Sequence, residues 1–117
     1  MTRFRLAIGL HNHQPVGNFD HVFEEAHQQA YKPFLELLAQ FPKVSLSLHQ
    51  SGILWDWQEK HHPEYLEQVK RLVADGRIEL MTGGFYEPIL TSIPQRDLRG
   101  QIEKLTGFLR NRFSADI

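Results

Sequence analysis

His11 and His13 stand one residue apart directly behind the apolar run Phe4–Leu10. His49, followed by Gln50, stands behind a second run that begins at Val44. Glu87 follows a third run, Arg77–Thr82, by a few residues. A neutral imidazole offers one donor and one acceptor, and a carboxylate only accepts, so this set can orient hydroxyl groups. The carboxylate can also stabilise positive charge. A His-x-His pair at a strand end can instead hold a divalent metal, because alternate strand residues point to the same side. His49 or Glu87 would then supply a further ligand. Spacing alone leaves both chemistries open.

The elements that must position these residues alternate along the chain. Phe4–Leu10 reads as a strand buried on both faces, being short, apolar and without alternation. His11–Phe19 is a loop punctuated by Pro15, Gly17 and Asn18. Asp20 is placed to cap a helix whose apolar positions are Phe23, Ala26, Ala30, Phe34, Leu37, Leu38 and Phe41. Pro33 either kinks that helix or opens a second one. Val44–His49 is an alternating strand. A short helix carries Ile53, Leu54 and Trp57. The next starts at His62-Pro63, buries Leu66, Val69, Leu72 and Val73, and stops at Gly76. Arg77–Thr82 is the third strand and Gly83–Thr91 a loop. Ser92, with Gln95 three residues on, signals the cap of a helix bearing Leu98, Ile102, Leu105 and Leu109.

Strand, helix, strand, helices, strand, helix is the order of a parallel α/β sheet with right-handed crossovers. In such folds the C-terminal strand ends carry the active site. Three successive strand ends converge here on one polar cluster. The remaining histidines, His21, His27, His61 and His62, fall on helices or a cap and read as solvated surface. Trp55 and Trp57 read as core. Phe85 and Tyr86 either stack on a ligand or pack under their loop. Gly83-Gly84 reads as relief of backbone strain in a tight turn.

The 117 residues suit one domain or a piece of a larger one, with no internal boundary. A formal net charge of -1 gives no basic field for nucleic acid. The absence of cysteine excludes disulfides and thiolate chemistry and fits a reducing, cytoplasmic setting. Two arginines precede the first apolar run, but that run is too short for a signal peptide. No stretch approaches the roughly 20 apolar residues of a membrane span.

His11-Asn12-His13-Gln14-Pro15, with Gly17-Asn18-Phe19, resembles the first sequence region of glycoside hydrolase family 57. Gly83-Gly84-Phe85-Tyr86-Glu87-Pro88-Ile89-Leu90 resembles its second region. Ser51-Gly52 through Trp57 also looks like its members. The resemblance covers nearly the whole chain. It implies an α-glucan-active enzyme: amylase, 4-α-glucanotransferase, branching enzyme, amylopullulanase or, in some members, α-galactosidase. It implies a retaining mechanism needing no metal and no cofactor. The fold class it implies is α/β, three βα units with parallel strands forming the first part of an incomplete seven-stranded barrel.

His11, His13 and Glu87 match pocket positions of that family, which favours hydroxyl recognition over metal ligation. The substrate-binding set expected is therefore His11, His13, Gln14, His49 and Glu87, facing an α-1,4-glucan or maltooligosaccharide. The family's catalytic glutamate and acid/base aspartate belong to third and fourth regions, which are expected beyond Ile117. No catalytic residue is therefore expected in this chain, and Glu87 is not promoted to nucleophile. The chain is expected to be inactive alone, and either to self-associate or to pair with a complementary C-terminal chain. Two other readings compete. One is a metal-dependent deacetylase or amidohydrolase built on His11 and His13; the other is a non-catalytic glucan-binding or split-enzyme subunit.

Overall fold

The computed structural model describes residues 3–117. Three parallel strands, β1 (Gly9–Asn12), β2 (Leu46–Gln50) and β3 (Ile78–Met81), form one sheet in the order β1-β2-β3. Helices α1 (Asp20–Ala26) and α2 (Lys32–Gln40) link the first two strands. Helices α3 (Gly52–His61) and α4 (Pro63–Ala74) link the second and third, and α5 (Gln95–Phe113) follows β3. The α/β class and the three βα units expected from the sequence are present.

Alternation along the strands separates two faces. Leu46, Leu48, Ile78 and Leu80 pack against Leu35, Trp55, Leu66, Val69, Leu105 and Leu109 in one core beneath the helices. Ser47 and His49 of β2, and Glu79 and Met81 of β3, lie on the opposite, open face. In register they meet Gly9 and His11 of β1. Residues on the open face are therefore available to a ligand, and β1 is a sheet edge.

That edge corrects the first strand. Pairing runs over Gly9–Asn12, so His11 and Asn12 lie inside the strand rather than after it. Phe4 and Leu6 are 93% and 86% exposed. Burial on both faces requires a neighbour and a covering layer, and the described residues place neither outside β1.

Between α1 and α2 lies a π-helical turn, His27–Tyr31, and Pro33 falls in the first turn of α2. A wider turn accommodates a residue that lacks an N–H and crowds the preceding carbonyls. The extra residue also rotates the buried stripe. Leu35 and Leu38 enter the core, whereas Phe34, Leu37 and Phe41 of the expected stripe are exposed. His27, four residues after buried Phe23 on the same face, is completely buried, against the expectation of a surface histidine. His62 is also largely buried, its ring stacking on that of His27 at 4.0 Å. His21 and His61 are exposed as expected.

Two caps also differ. Phe19 occupies the N-cap of α1 with no side-chain bond, and Asp20 sits in the first turn, where a negative charge still favours the helix dipole. Ser92 ends a short 3-10 turn, and Pro94 precedes α5 directly. Gly76 has the left-handed φ of +67° expected of a helix stop. Next to it, Arg77 donates to the carbonyls of Leu38, Phe41 and Val44, tying the end of α2 to the start of β2. Past α5, Ala115 and Ile117 pack against the core, and Arg110 donates to the Ile117 carbonyl at 2.6 Å.

Candidate functional site

His11 and His49 are register partners on β1 and β2 and face the open side together. Their rings stack with centroids 4.8 Å apart and planes 26° apart, and their Nδ1 atoms are 2.7 Å apart. His13, two residues beyond His11, brings its ring centroid within 5.8 Å of His11. Glu87 enters from the loop after β3. Its Oε1 is 3.2 Å from His11 Nε2 and 3.6 Å from His49 Nδ1, and its Oε2 accepts from His13 Nδ1. The carboxylate side chain is 18% exposed, while His11 and His13 are about half exposed. A sunken carboxylate thus lies beneath two open imidazoles.

The loop that delivers Glu87 is tightly held. Phe85 is buried, and its carbonyl accepts from Gly52 N at 2.8 Å. A Cβ on Gly52 would collide with the Phe85 ring. Tyr86 N donates to Gln101 Oε1, and Lys104 donates to the Tyr86 hydroxyl while lying 3.8 Å above the Phe85 ring centroid. Phe85 therefore packs under the loop, and Tyr86 remains half exposed. Glu87 itself has φ +51°, an uncommon conformation for a non-glycine residue.

Gly83 and Gly84 serve a different purpose from the one expected. Neither has positive φ. A Cβ on Gly83 would come within 2.8 Å of His49 Nε2, and one on Gly84 within 2.8 Å of Pro88 Cδ. They permit close approach.

Four of the five expected site residues come together: His11, His13, His49 and Glu87. Gln14 does not join them. It is buried, donating from Nε2 to the Tyr31 hydroxyl at 3.0 Å and accepting from Asn18 Nδ2 at 2.9 Å. Tyr31 in turn donates to the His13 carbonyl. Gln14 thus braces the loop that presents His13. Gln50, read from the sequence beside His49 at the second strand end, turns to the other face, and with Gln58 and His27, which the sequence did not mark as site-related, forms a buried polar chain behind the cluster. One signal was present: Gln50 shares the strand parity of Leu46 and Leu48.

Burial, and secondly the neighbouring His11, push the His49 pKa below the ordinary histidine value, with Glu87 opposing them. His49 is therefore neutral at pH 7, able to donate from one nitrogen and accept at the other. The cluster can recognise hydroxyl groups. His11, His13 and Glu87 also bring ligand atoms within 4.8 Å of one another, close enough to hold a cation.

Comparison with known proteins gives the context. The sequence model of Glycosyl hydrolase family 57 matches residues 7–116. The chain is 44% identical over 110 residues to a 4-alpha-glucanotransferase of Thermococcus litoralis, covering 94% of this chain and 17% of that protein. It is 47% identical over 107 residues to Alpha-amylase 1 of Dictyoglomus thermophilum, covering 92% of this chain and 16% of that protein. The crystal structure of the 4-alpha-glucanotransferase from Thermococcus litoralis superposes with a TM-score of 0.89, over 91% of this chain and 17% of that one. The chain thus spans about one sixth of the length of the relatives it matches. With sequence and backbone agreeing over nearly its full length, this chain belongs to glycosyl hydrolase family 57.

Proposed function

We propose that His11, His13, His49 and Glu87 form one wall of a sugar pocket for an α-1,4-glucan or maltooligosaccharide, in an enzyme that hydrolyses or transfers glucans with retention. The supporting observation is the sunken Glu87 carboxylate bridging His11 and His13 at the open C-terminal ends of parallel strands. Neutral imidazole edges and a carboxylate suit sugar hydroxyls. Gln14 acts behind this wall as a positioning residue. Maltotriose titration of the chain tests the reading. Imidazole resonances of His11 and His13 shift with wild type and stay still with Glu87→Gln; no shift with wild type overturns it.

Retaining chemistry needs two carboxyl groups about 5–5.5 Å apart. Among the described residues the cluster holds one, Glu87. We infer that both catalytic carboxylates come from sequence beyond Ile117, and that this chain alone has no turnover. Release of reducing sugar from maltooligosaccharide by the purified chain contradicts that inference. The compact ligand set of His11, His13 and Glu87 favours a second reading, a divalent cation in place of the sugar hydroxyls. Stoichiometric zinc retained after dialysis selects the second reading; its absence selects the first.

A further inference from the structure

Behind the histidine cluster, on the helix-facing side of the sheet, four polar side chains join end to end. Asn12 lies between His11 and His13 and donates from Nδ2 to Gln50 Oε1 at 3.1 Å. Gln50 donates from Nε2 to Gln58 Oε1 at 2.6 Å. Gln58 Nε2 meets His27 Nδ1 at 3.3 Å. Gln50, Gln58 and His27 are all at most 1% exposed. Every link uses the donor of one residue and the acceptor of the next, so the chain has a direction. Its last acceptor is His27 Nδ1, which must carry a lone pair. The proton of the neutral ring then sits on Nε2, a buried atom with no hydrogen-bond partner among the described residues.

The chain lies one register pair from the site. Asn12 pairs with Gln50 in the step after His11 pairs with His49. Backbone parity sends the first pair into the helix layer and the second to the open face. Strand β1 has four residues, and Leu10 is its only apolar side chain toward the core. Apolar packing therefore specifies the placement of β1 weakly, since a short edge strand slips at little cost. A buried amide bond does not tolerate slippage, because each broken link strands a donor or acceptor away from water. The far end is held by ring packing, with no further hydrogen bond from His27 among the described residues. His27 stacks on His62 and packs edge-on against Tyr65 at 5.2 Å, and His62 faces Glu24 at 2.7 Å and Glu64 at 3.2 Å.

We propose that Asn12–Gln50–Gln58–His27 is a positioning relay that sets β1 against β2, holding His11 over His49 beneath an Nε2-protonated His27. These are positioning residues, none of which touches a ligand. The proposal deepens the sugar-pocket reading, but its test involves no sugar.

The test is long-range 1H–15N and NOE spectroscopy on the 15N-histidine-labelled chain at pH 7 with a chelator present. Wild type is expected to show His27 protonated at Nε2 and bare at Nδ1, with NOEs between the His11 and His49 rings. Gln50→Leu removes two links and is expected to lose those NOEs. Gln58→Glu still accepts from Gln50, so it should keep them, while His27 becomes protonated at Nδ1 to meet the new carboxylate. A wild-type His27 protonated at Nδ1 overturns the relay's direction without recourse to any variant. A folded Gln50→Leu chain that keeps the His11–His49 NOEs overturns its positioning role. Failure to shift with maltotriose alters neither result.

Discussion

His11 and His49 face each other through Nδ1 atoms 2.7 Å apart. That contact needs a donor on one side and a lone pair on the other, so two imidazolium rings cannot share it. Burial reinforces the restriction by lowering the His49 pKa, with His11 lowering it further and Glu87 acting against both. His49 should therefore titrate below the ordinary histidine midpoint of 6.5. Glu87→Gln removes the opposing attraction and should lower the midpoint again. An NMR titration that finds His49 at or above the ordinary value, or raised in Glu87→Gln, contradicts this account.

His27 gives a stability prediction with a defined sign. Burial, and secondly His62, push its pKa from 6.5 down to about 4. The unfolded chain therefore takes up a proton near pH 6.5, while the folded chain resists until about pH 4. The contribution is fully present above pH 6.5 and is lost as pH falls across that window. The loss is on the order of 3 kcal/mol if the whole shift is expressed. Denaturant melts from pH 7 to pH 4 should show it, and His27→Phe should flatten this part of the curve. An equal slope in the variant contradicts the assignment.

These two histidines also mark how much the sequence could reveal. His49 was legible because β2 alternates, so its parity follows from Val44 to Leu48, although it lies within β2 rather than after it. Glu87 and His13 were legible from local motifs. His27 was not: it stands four residues after buried Phe23, but a polar side chain on an apolar stripe reads as surface, and the π turn that starts there rotated only the later part of the pattern by one residue. Phe4–Leu10 misled for another reason. Whether an apolar run is buried depends on what lies beyond it, and β1 is an edge. The amide relay carries no periodic signal, since each link joins residues brought together only by the fold.

Two glycines near the site should respond differently to alanine. A Cβ at Gly52 meets the fully buried Phe85 ring, which has no room to retreat. Gly52→Ala is expected to destabilise the chain by about 1–3 kcal/mol through overpacking. At Gly83 the obstruction is the edge of the His49 ring, 2.8 Å away and partly open to solvent. Gly83→Ala should displace that ring, lose the His11–His49 NOEs and leave the melting temperature nearly unchanged. The opposite ranking of melting temperatures contradicts the packing described for Phe85.

The edge beside β1 predicts self-association. Phe34, Leu37 and Phe41, each 40–53% exposed, line an apolar groove with Ile8, Leu10 and Val44. Alongside it, the outer hydrogen-bonding groups of β1 have no strand partner among the described residues. An unpaired strand edge beside an exposed apolar groove attracts another chain. Sedimentation velocity should show species heavier than monomer whose share grows with concentration. Covering a leucine side chain contributes about 1.5–3 kcal/mol, and burying a lysine charge in its place costs more. Leu37→Lys, on the exposed side of α2, should therefore weaken association at least about tenfold while leaving the fold intact. A wild-type chain that stays monomeric at every concentration, or a Leu37→Lys chain that associates equally well, places the contact elsewhere.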